Sequence, residues 1–556
     1  MATETLEHRG RRTPPPKQSR GGSAGGGPPA APAAGGFEAT QYPWLVLLGL
    51  ITAAIMEVLD TTIINVALPQ MSGNLNAEPA EIAWVSTGYI LSNVIVLPMT
   101  AWLSQRFGRK RYLIFSLLLF IGASFFCGTS RSLGELVVWR ILQGAGGAAL
   151  LSTAQATLRQ IFPKEQQGLV QAIFVLGIVV APTIGPTLGG YITDNYNWPW
   201  VFFVNIPIGL ISVALVYFFL HDPPGQRKAA AIDWAGIGLL AVGLGSLQYV
   251  LEEGERNDWF QDALIARLAI LAAISLVSLI VWELWPTNKA PIIDFHVLKN
   301  KQLTAGLVLF LSLGFGLYGG IFIFPLFAQN ILGLTPTATG LVLLPGGLAT
   351  GVAVVFCGRV LNGKKVMVDP RILITIGIAI FVLSMWMLGH LTTQSGEPDT
   401  RLGLIIRGLG LGFLFTPINF IVFASLKGPE IAQGSSFINL ARQLGGSFGI
   451  AVLNTYITNM TAYHRASIVA NIYPGSQEFA LRQTSIAQSF VTHGGDNLVH
   501  AQAAALYALN TIVQRQAATM AYNNAFILLG VTFALAVPAV FLLRKPRGGG
   551  PAAGGH

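Results

Sequence analysis

Long apolar runs alternate with short polar segments along nearly the whole chain after residue 42. Many of these runs reach about 20 residues, the length that an α-helix needs to cross the hydrocarbon core of a bilayer. The pattern predicts an all-α polytopic membrane protein with fourteen transmembrane helices. The predicted spans are 44–68, 80–103, 112–130, 135–158, 168–192, 199–220, 234–251, 264–285, 303–331, 338–360, 371–391, 402–424, 433–457 and 521–543.

A faint internal repeat divides this series of spans. "WLSQRFGRKRYLI" (102–114) joins spans two and three, and "GRVLNGKKVMVDPRILI" (358–374) joins spans ten and eleven; both are basic, glycine-bearing hairpins. Their spacing predicts two six-helix bundles with two further helices between them. Repeated halves with a binding site at their interface are typical of transporters. The predicted parts are an N-terminal bundle at 43–222, the two extra helices with their linkers at 223–300, and a C-terminal bundle at 301–545.

Three polar stretches stand outside the spans. Residues 1–42 and 546–556 are rich in Gly, Pro and Ala, a composition that cannot bury a core and predicts disordered tails. Residues 458–520 form a long polar segment, and its final part has the periodicity of a helix that lengthens the last span outward. This segment is either a solvated lid or a docking surface for a partner on the outer side.

Composition and charge support the same class of protein. The chain is 52% hydrophobic and 11% charged, whereas a soluble domain carries about 25% charged residues. The net charge of +9 is therefore no sign of nucleic-acid binding. Most of the 34 Lys and Arg residues fall on one side of the predicted membrane, which places both termini in the cytoplasm. The first apolar run is too long for the core of a signal peptide, so we expect it to remain as a spanning helix.

Several kinds of chemical site are excluded. The two cysteines, Cys127 and Cys357, lie in apolar runs, and the histidines form no metal-binding pair, so no metal site is expected. "GRVLNGKK" (358–365) resembles a phosphate-binding loop, but it ends in Lys365 rather than Ser or Thr and follows a membrane span. No cofactor or enzymatic activity is expected. The proton gradient is the remaining common source of energy, worth about 2.3 kcal/mol per charge per 100 mV.

Two carboxylates, Glu57 and Asp60, lie deep in the first span, one helical turn apart and so on one face. An ionised acid at the centre of a bilayer costs about 2.5–3.5 kcal/mol on insertion scales, so it normally faces a cavity or a partner. Two carboxylates this close disfavour double ionisation, and one of them can then take up and release a proton near neutral pH. The pair is either a proton or cation site or a hydrogen bond between packed helices.

Arg140 in "WRILQGAGGAALLS" is the expected partner of these acids. At a rise of 1.5 Å per residue, Arg140 and Asp60 lie roughly 8 and 12 Å below the same membrane surface, so they can meet. Gln143 lies on the same face of the helix as Arg140. We hypothesise that the carboxylates alternate between binding a proton and binding Arg140.

The fifth span carries small residues at every fourth position, which predicts a smooth ridge where helices approach closely. Two prolines bend this span by removing backbone hydrogen bonds. The ridge serves tight packing, and we also expect the bent seam to be a gating surface between the bundles. The candidates are Pro182, Gly185, Pro186, Gly189 and Gly190.

A substrate cavity is expected where polar and aromatic residues interrupt the spans. Arg442 lies roughly 14 Å in from the inner membrane face, and it binds either backbone carbonyls or an anionic substrate. The complete set of candidates for the cavity is Trp84, Tyr89, Gln143, Tyr318, Phe322, Asn419, Arg442 and Gln443.

Several of these motifs together resemble the major facilitator superfamily, and more narrowly the fourteen-span drug:proton antiporters of the EmrB/QacA type. The motifs are "LDTTIINVALP" (59–69), "WLSQRFGRK" (102–110), "RILQGAGGAA" (140–149), "GPTLGGYI" (185–192), "WPWVFFVNIPIG" (198–209), "PIIDFHVLK" (291–299) and "RQLGGSFG" (442–449). The stretch "GSLQYVLEEGERNDWF" (245–260) and the long final outer loop are most similar to the EmrB group.

The resemblance implies proton-coupled export of amphipathic, drug-like compounds across the bacterial inner membrane by alternating access. It makes Asp60 essential for transport and Arg140 a proton-coupling residue, and the basic hairpin adds Arg106, Gly108 and Arg109 as conformational residues. It further implies an EmrA-type periplasmic adaptor and a TolC-like outer-membrane channel as partners. Two alternatives stay open: a dedicated exporter of one lipid, pigment, siderophore or other metabolite on the same fold, and an embedded enzyme or sensor.

Overall fold

A computed structural model describes residues 42–163, 166–221, 232–286, 288, 291–361, 368–428, 430–494 and 497–543. These residues form nineteen α-helices and three short 3₁₀-helices. Apart from Tyr42, the two predicted disordered tails, 1–42 and 546–556, lie outside the described residues.

The helices follow one another with short connections. In the first part of the chain they are α1 (Pro43–Leu75), α2 (Pro79–Ile82), α3 (Trp84–Val96), α4 (Thr100–Phe107), α5 (Arg109–Thr129), α6 (Leu133–Ile161), α7 (Gln167–Asn195), α8 (Pro199–Phe203) and α9 (Asn205–Phe219). The remaining helices are α10 (Trp234–Glu253), α11 (Ala263–Glu283), α12 (Lys301–Asn330), α13 (Pro336–Leu361), α14 (Pro370–Leu388), α15 (Glu397–Ala424), α16 (Glu430–Ala470), α17 (Gln477–Gly494), α18 (Leu498–Leu535) and α19 (Val537–Leu542).

Twelve segments of the described chain are long and apolar enough to cross a membrane, and bent α7 would make thirteen. The sequence predicted fourteen. The difference lies in α16, which contains the predicted span 433–457 but is too polar to count by composition. A helix that packs against protein on several sides does not need an apolar surface, and α16 contacts α12, α18, α10 and α6.

Local signals in the sequence explain where helices begin. At α6, Ser132 Oγ accepts a hydrogen bond from the Glu135 amide at 3.3 Å, and the Glu135 carboxylate accepts one from the Arg131 amide at 3.0 Å. This reciprocal pair satisfies amides that have no partner inside the helix. Between α4 and α5, Gly108 has φ +88°, a conformation that other residues rarely adopt, and the chain reverses there.

Each half of the molecule has its own apolar core. In the first half, α1 packs against α7 and α9, while α3 and α5 pack against α6. In the second half, α12 packs against α16, α13 and α14 pack against α15, and α18 packs against α14 and α16. The polar segment 458–520 is largely helical where it is described: α16 continues to Ala470, α17 follows, and α18 begins at Leu498, as the periodicity of its final part predicted.

The two halves meet along a seam formed by two helix pairs. On one side α7 packs against α13, and on the other α6 packs against α16. The hairpin of α10 and α11 covers the second side, because α10 contacts both α3 and α16. Buried Leu240 and Leu244 of α10 belong to the apolar cluster at this contact.

Candidate functional site

A buried ion pair between Asp60 of α1 and Arg140 of α6 is the centre of the candidate site. The Arg140 Nη1 atom lies 2.6 Å from Asp60 Oδ2, and the two side chains are 1% and 0% exposed. The pair joins two helices of the same half. The structure thus brings together the two residues that the sequence singled out in the first and fourth spans.

Neutral donors complete the coordination of the Asp60 carboxylate. Its second oxygen, Oδ1, accepts hydrogen bonds from Gln143 Nε2 at 3.0 Å and Asn205 Nδ2 at 2.7 Å. The Ser124 hydroxyl accepts from the same two amides, at 2.7 and 3.1 Å. A buried charge is tolerated only when it is paired and hydrogen-bonded, and both conditions hold for Asp60.

The Arg140 guanidinium has partners that do not depend on Asp60. Its Nε donates to the backbone carbonyl of Val85 in α3 at 2.9 Å, and its Nη1 donates to Gln143 Oε1 at 2.7 Å. The guanidinium carbon lies 4.3 Å from the centre of the Tyr89 ring, an attractive cation–π geometry. Arg140 can therefore stay in place when a proton neutralises Asp60, which is what a proton-exchanging pair requires.

Glu57 occupies a different environment from Asp60. It is 9% exposed, and its Oε2 atom has no hydrogen-bond partner among the described residues. Within the described chain, Arg140 forms its ion pair with Asp60 and not with Glu57. The charges that act electrostatically on Glu57 are those of Arg442 and Asp60. The two carboxylates share a helix face but not a partner.

Arg442 lies on α16 and so belongs to the second half of the molecule, whereas Asp60 and Arg140 belong to the first. Its Nη1 donates to the Tyr318 hydroxyl at 2.8 Å and its Nη2 to Asn439 Oδ1 at 3.2 Å. Neither contact is with a backbone carbonyl, and the binding of an anionic substrate by Arg442 stays a prediction. Arg442 and Tyr318, both predicted to line the cavity, are therefore in direct contact.

The other predicted cavity residues are dispersed. Tyr89 and Gln143 belong to the surroundings of Asp60 and Arg140. Trp84 packs against Tyr249 of α10, with ring centres 5.7 Å apart. Phe322 and Gln443 are half-buried, and Phe322 packs against the core of the second half.

Asn419, the remaining predicted cavity residue, is fully buried and takes part in a bridge across the seam. Its backbone carbonyl accepts a hydrogen bond from Arg159 Nη2 at 3.3 Å, and Arg159 also lies 4.9 Å from the centre of the Phe423 ring. Arg159 lies near the end of α6 that is predicted to be cytoplasmic, and the bridge ties this end of α6 to α15.

The glycine ridge of α7 faces α1 rather than α13. A Cβ at Gly189 would lie 2.7 Å from the Ile63 carbonyl oxygen, and one at Gly185 would overlap the Thr62 hydroxyl. Gly190 is the predicted residue that faces α13, where a Cβ would lie 3.3 Å from the Thr337 hydroxyl. α7 bends by 41° near the two prolines, Pro182 and Pro186. α7, the predicted gating helix, thus packs both against α1, which carries Asp60, and against α13 of the second half.

The basic hairpin lies at one end of the first half. Arg109 donates a hydrogen bond to Gln160 near the end of α6, and the Arg106 guanidinium carbon lies 5.5 Å from the centre of the Trp102 ring. Gly108 makes the turn between them. Arg109 thus ties the α4–α5 turn to the end of α6, whereas Arg106 packs within α4.

Four functional candidates were missed. Ser124 and Asn205 are polar residues within apolar runs, and this pattern could have identified them from the sequence. Arg159 directly follows the predicted span 135–158, and nothing local shows that it is buried. Arg407 of α15 falls within the predicted span 402–424; it is 7% exposed and donates to the Gly320 carbonyl at 3.2 Å. Within the described residues, no group of three or more His, Cys, Asp or Glu side chains could hold a metal ion.

Comparisons with known proteins agree with this architecture. The model of the Major Facilitator Superfamily matches residues 50–450. The chain is 34% identical over 432 residues to the multidrug export protein EmrB of Haemophilus influenzae, covering 77% of this chain and 83% of that protein. It is 33% identical over 520 residues to the fatty acid resistance protein FarB of Neisseria gonorrhoeae, covering 92% and 98%. The crystal structure of the human organic anion transporter MFSD10 superposes with a TM-score of 0.55 at 13% identity, covering 88% and 99%, and supports the fold alone.

Proposed function

Because this chain belongs to the Major Facilitator Superfamily, a family of multi-pass membrane transporters, we propose that it is a proton-coupled efflux transporter of the bacterial inner membrane. Its cargo would be amphipathic toxic compounds, exported by alternating access. The relatives that act in multidrug export support this cargo. The single observation that carries the proposal is the buried Asp60–Arg140 pair. Asp60 is a protonatable group, and Arg140 keeps its other hydrogen bonds when Asp60 is protonated.

The coupling step follows from the contacts of this pair. When Asp60 is ionised, it holds α1 against α6 through Arg140. A proton on Asp60 removes the attraction, and Arg140 remains bound to the Val85 carbonyl and Gln143. α1 is then free to shift relative to α6.

Such a shift reaches the seam through α7. The turn of α1 that follows Asp60 packs directly on Gly185 and Gly189, so movement of α1 displaces α7. α7 in turn packs along α13 of the other half. Opening of the inner end also requires the bridge from Arg159 to the Asn419 carbonyl to break. Protonation and seam opening are thereby linked through one continuous set of packed helices.

The setting of the transporter is also part of the proposal. The bias of basic residues favours a cytoplasmic location for both termini, and in that orientation the helical segment from the end of α16 to the start of α18 would lie on the outer side. We propose that this segment meets an EmrA-type adaptor that leads to a TolC-like outer channel. The proton gradient would drive the protonation of Asp60, and moving one charge across the membrane supplies about 2.3 kcal/mol per 100 mV of potential.

The test uses purified protein in liposomes with an imposed pH gradient. We expect Asp60→Asn to abolish proton movement driven by an exported dye, because the amide cannot exchange a proton. Asp194→Asn, the same change at an exposed position near the end of α7, is the matched control and should behave as wild type. Unchanged dye-driven proton movement in Asp60→Asn would refute the proposal.

A second candidate is a dedicated exporter of one lipid-like compound. The similarity to a fatty acid resistance protein over nearly the full length of both chains favours it. A susceptibility panel on a deletion strain separates the two candidates: many unrelated compounds indicate multidrug export, and a single class of compound indicates a dedicated exporter.

A further inference from the structure

An apolar cavity lies between α7 of the first half and α12, α13 and α15 of the second. Its walls include Pro182 and Pro186 at the bend of α7, together with leucines such as Leu317 and Leu411. Among the described residues that line it, Arg407 is the one charged side chain. The cavity therefore combines apolar walls with a single positive charge, and it lies on the seam itself.

In the part of the chain that the structure describes, no acidic side chain compensates the charge of Arg407. Within the described residues, no carboxylate lies at ion-pair distance from it, and its one hydrogen bond goes to the Gly320 carbonyl at 3.2 Å. Arg140, in contrast, has a carboxylate, a carbonyl, an amide oxygen and an aromatic ring as partners. Arg407 lies about 15 Å along α15 from its outer end. A buried cation at this depth without a counter-ion is costly, so its remaining donors are free for an anion.

We propose that this cavity binds the head group of a monoanionic amphiphile, a carboxylate or sulfonate, on Arg407. The inference rests on the proposed export function and names the substrate class that this subsite selects. The geometry of a guanidinium matches two oxygens of one head group, whereas a cationic head group would be repelled by the same charge.

The size of the cavity determines how such a ligand enters. Its volume of about 50 Å³ holds a head group, whereas sites for whole drug-sized ligands measure about 300–1,000 Å³. Because one wall is the bend of α7, separation of α7 from α13 enlarges the cavity along the seam. The apolar tail then lies in the opened seam while the head group stays on Arg407. Binding of the anion and movement of α7 are thus coupled directly.

The test compares two fluorescent probes that share a pyrenyl alkyl tail, one ending in a sulfonate and the other in a trimethylammonium group. Transport of each is measured in proteoliposomes with an imposed pH gradient. We expect Arg407→Gln to reduce sulfonate transport about tenfold or more, the effect of losing a charge-assisted hydrogen bond, and to change ammonium transport less than twofold. The matched control is Arg401→Gln on the same helix, where Arg401 is exposed and pairs with Glu397 at 2.7 Å; it should leave both probes unaffected.

A binding measurement keeps the inference independent of transport and of folding. The sulfonate probe should raise the melting temperature of the wild type more than the ammonium probe does, and Arg407→Lys should keep part of this difference. The anion site would be overturned if Arg407→Gln reduced the transport of both probes equally, or if both probes raised the melting temperature of the wild type equally. If the wild type transports neither probe but the sulfonate alone stabilises it, the proposed export function fails while the anion site stands.

Discussion

Breaking the Asp60–Arg140 pair one partner at a time should have unequal effects. Arg140→Met leaves the Asp60 carboxylate buried with only two neutral donors, Gln143 and Asn205, both on Oδ1. Oδ2 then has no partner among the described residues. Removing one member of a buried pair costs about 3–5 kcal/mol, and we expect Arg140→Met to fall in this range.

Asp60→Asn should cost less, because the Arg140 guanidinium keeps the Val85 carbonyl, the Gln143 oxygen and the Tyr89 ring. The lost charge-assisted hydrogen bond corresponds to about 1.5–3 kcal/mol. The double variant removes the unpaired charge, so its cost should be well below the sum of the single costs. We expect an interaction free energy of about 2 kcal/mol or more.

The assay is the free energy of unfolding in mixed micelles, measured for the wild type, the two single variants and the double variant. Glu397→Gln with Arg401→Met, an exposed pair four residues apart on α15, serves as the control cycle and should give about 0.3–0.5 kcal/mol. Additive costs for Asp60 and Arg140, within about 0.5 kcal/mol, would contradict the conclusion that the two side chains stabilise each other in the fold.

Three further predictions concern the helices around the site. Gly189→Ala should destabilise the protein by about 1–3 kcal/mol and impair transport, because the added methyl group would lie 2.7 Å from the Ile63 carbonyl oxygen. The control Gly134→Ala, with open space around it, should do neither. Equal melting temperatures for the two variants would contradict the close contact of α7 with α1. Arg159→Gln should increase labelling from the inner side of a cysteine introduced into the seam, because the bridge to α15 is lost; unchanged labelling would show that the bridge does not close the seam. Gln248→Leu should lower the free energy of unfolding by about 1–3 kcal/mol, because the Ser447 hydroxyl of α16 loses the hydrogen bond that Gln248 of α10 donates to it at 2.8 Å. An unchanged melting temperature would argue that this hydrogen bond does not stabilise the contact between α10 and α16.

The sequence by itself determined the class of protein and the positions of its helices. A run of about 20 apolar residues is a local property, and it forms a helix in a bilayer whatever it packs against. Asp60 and Arg140 were also accessible from the sequence, because charged residues stand out within apolar runs and the helix rise places them at similar depths. The resemblance to the major facilitator superfamily and its EmrB group, drawn from short motifs, is confirmed by the family and relatives that match.

The tertiary structure alone decided which partner each charge has. Asp60 and Glu57 are equivalent by sequence spacing, but only Asp60 meets Arg140, because helix packing and not periodicity sets which turn of α1 faces α6. Arg159 resembles a loop charge until the seam is assembled and buries it against α15. The sequence predicted the span 433–457 within α16, but the reason that this span can be so polar is visible only in the fold, where α16 packs against protein on several sides. These features depend on contacts between residues eighty or more positions apart, such as Arg159 and Asn419, which are separated by 260 positions, and no local pattern encodes them.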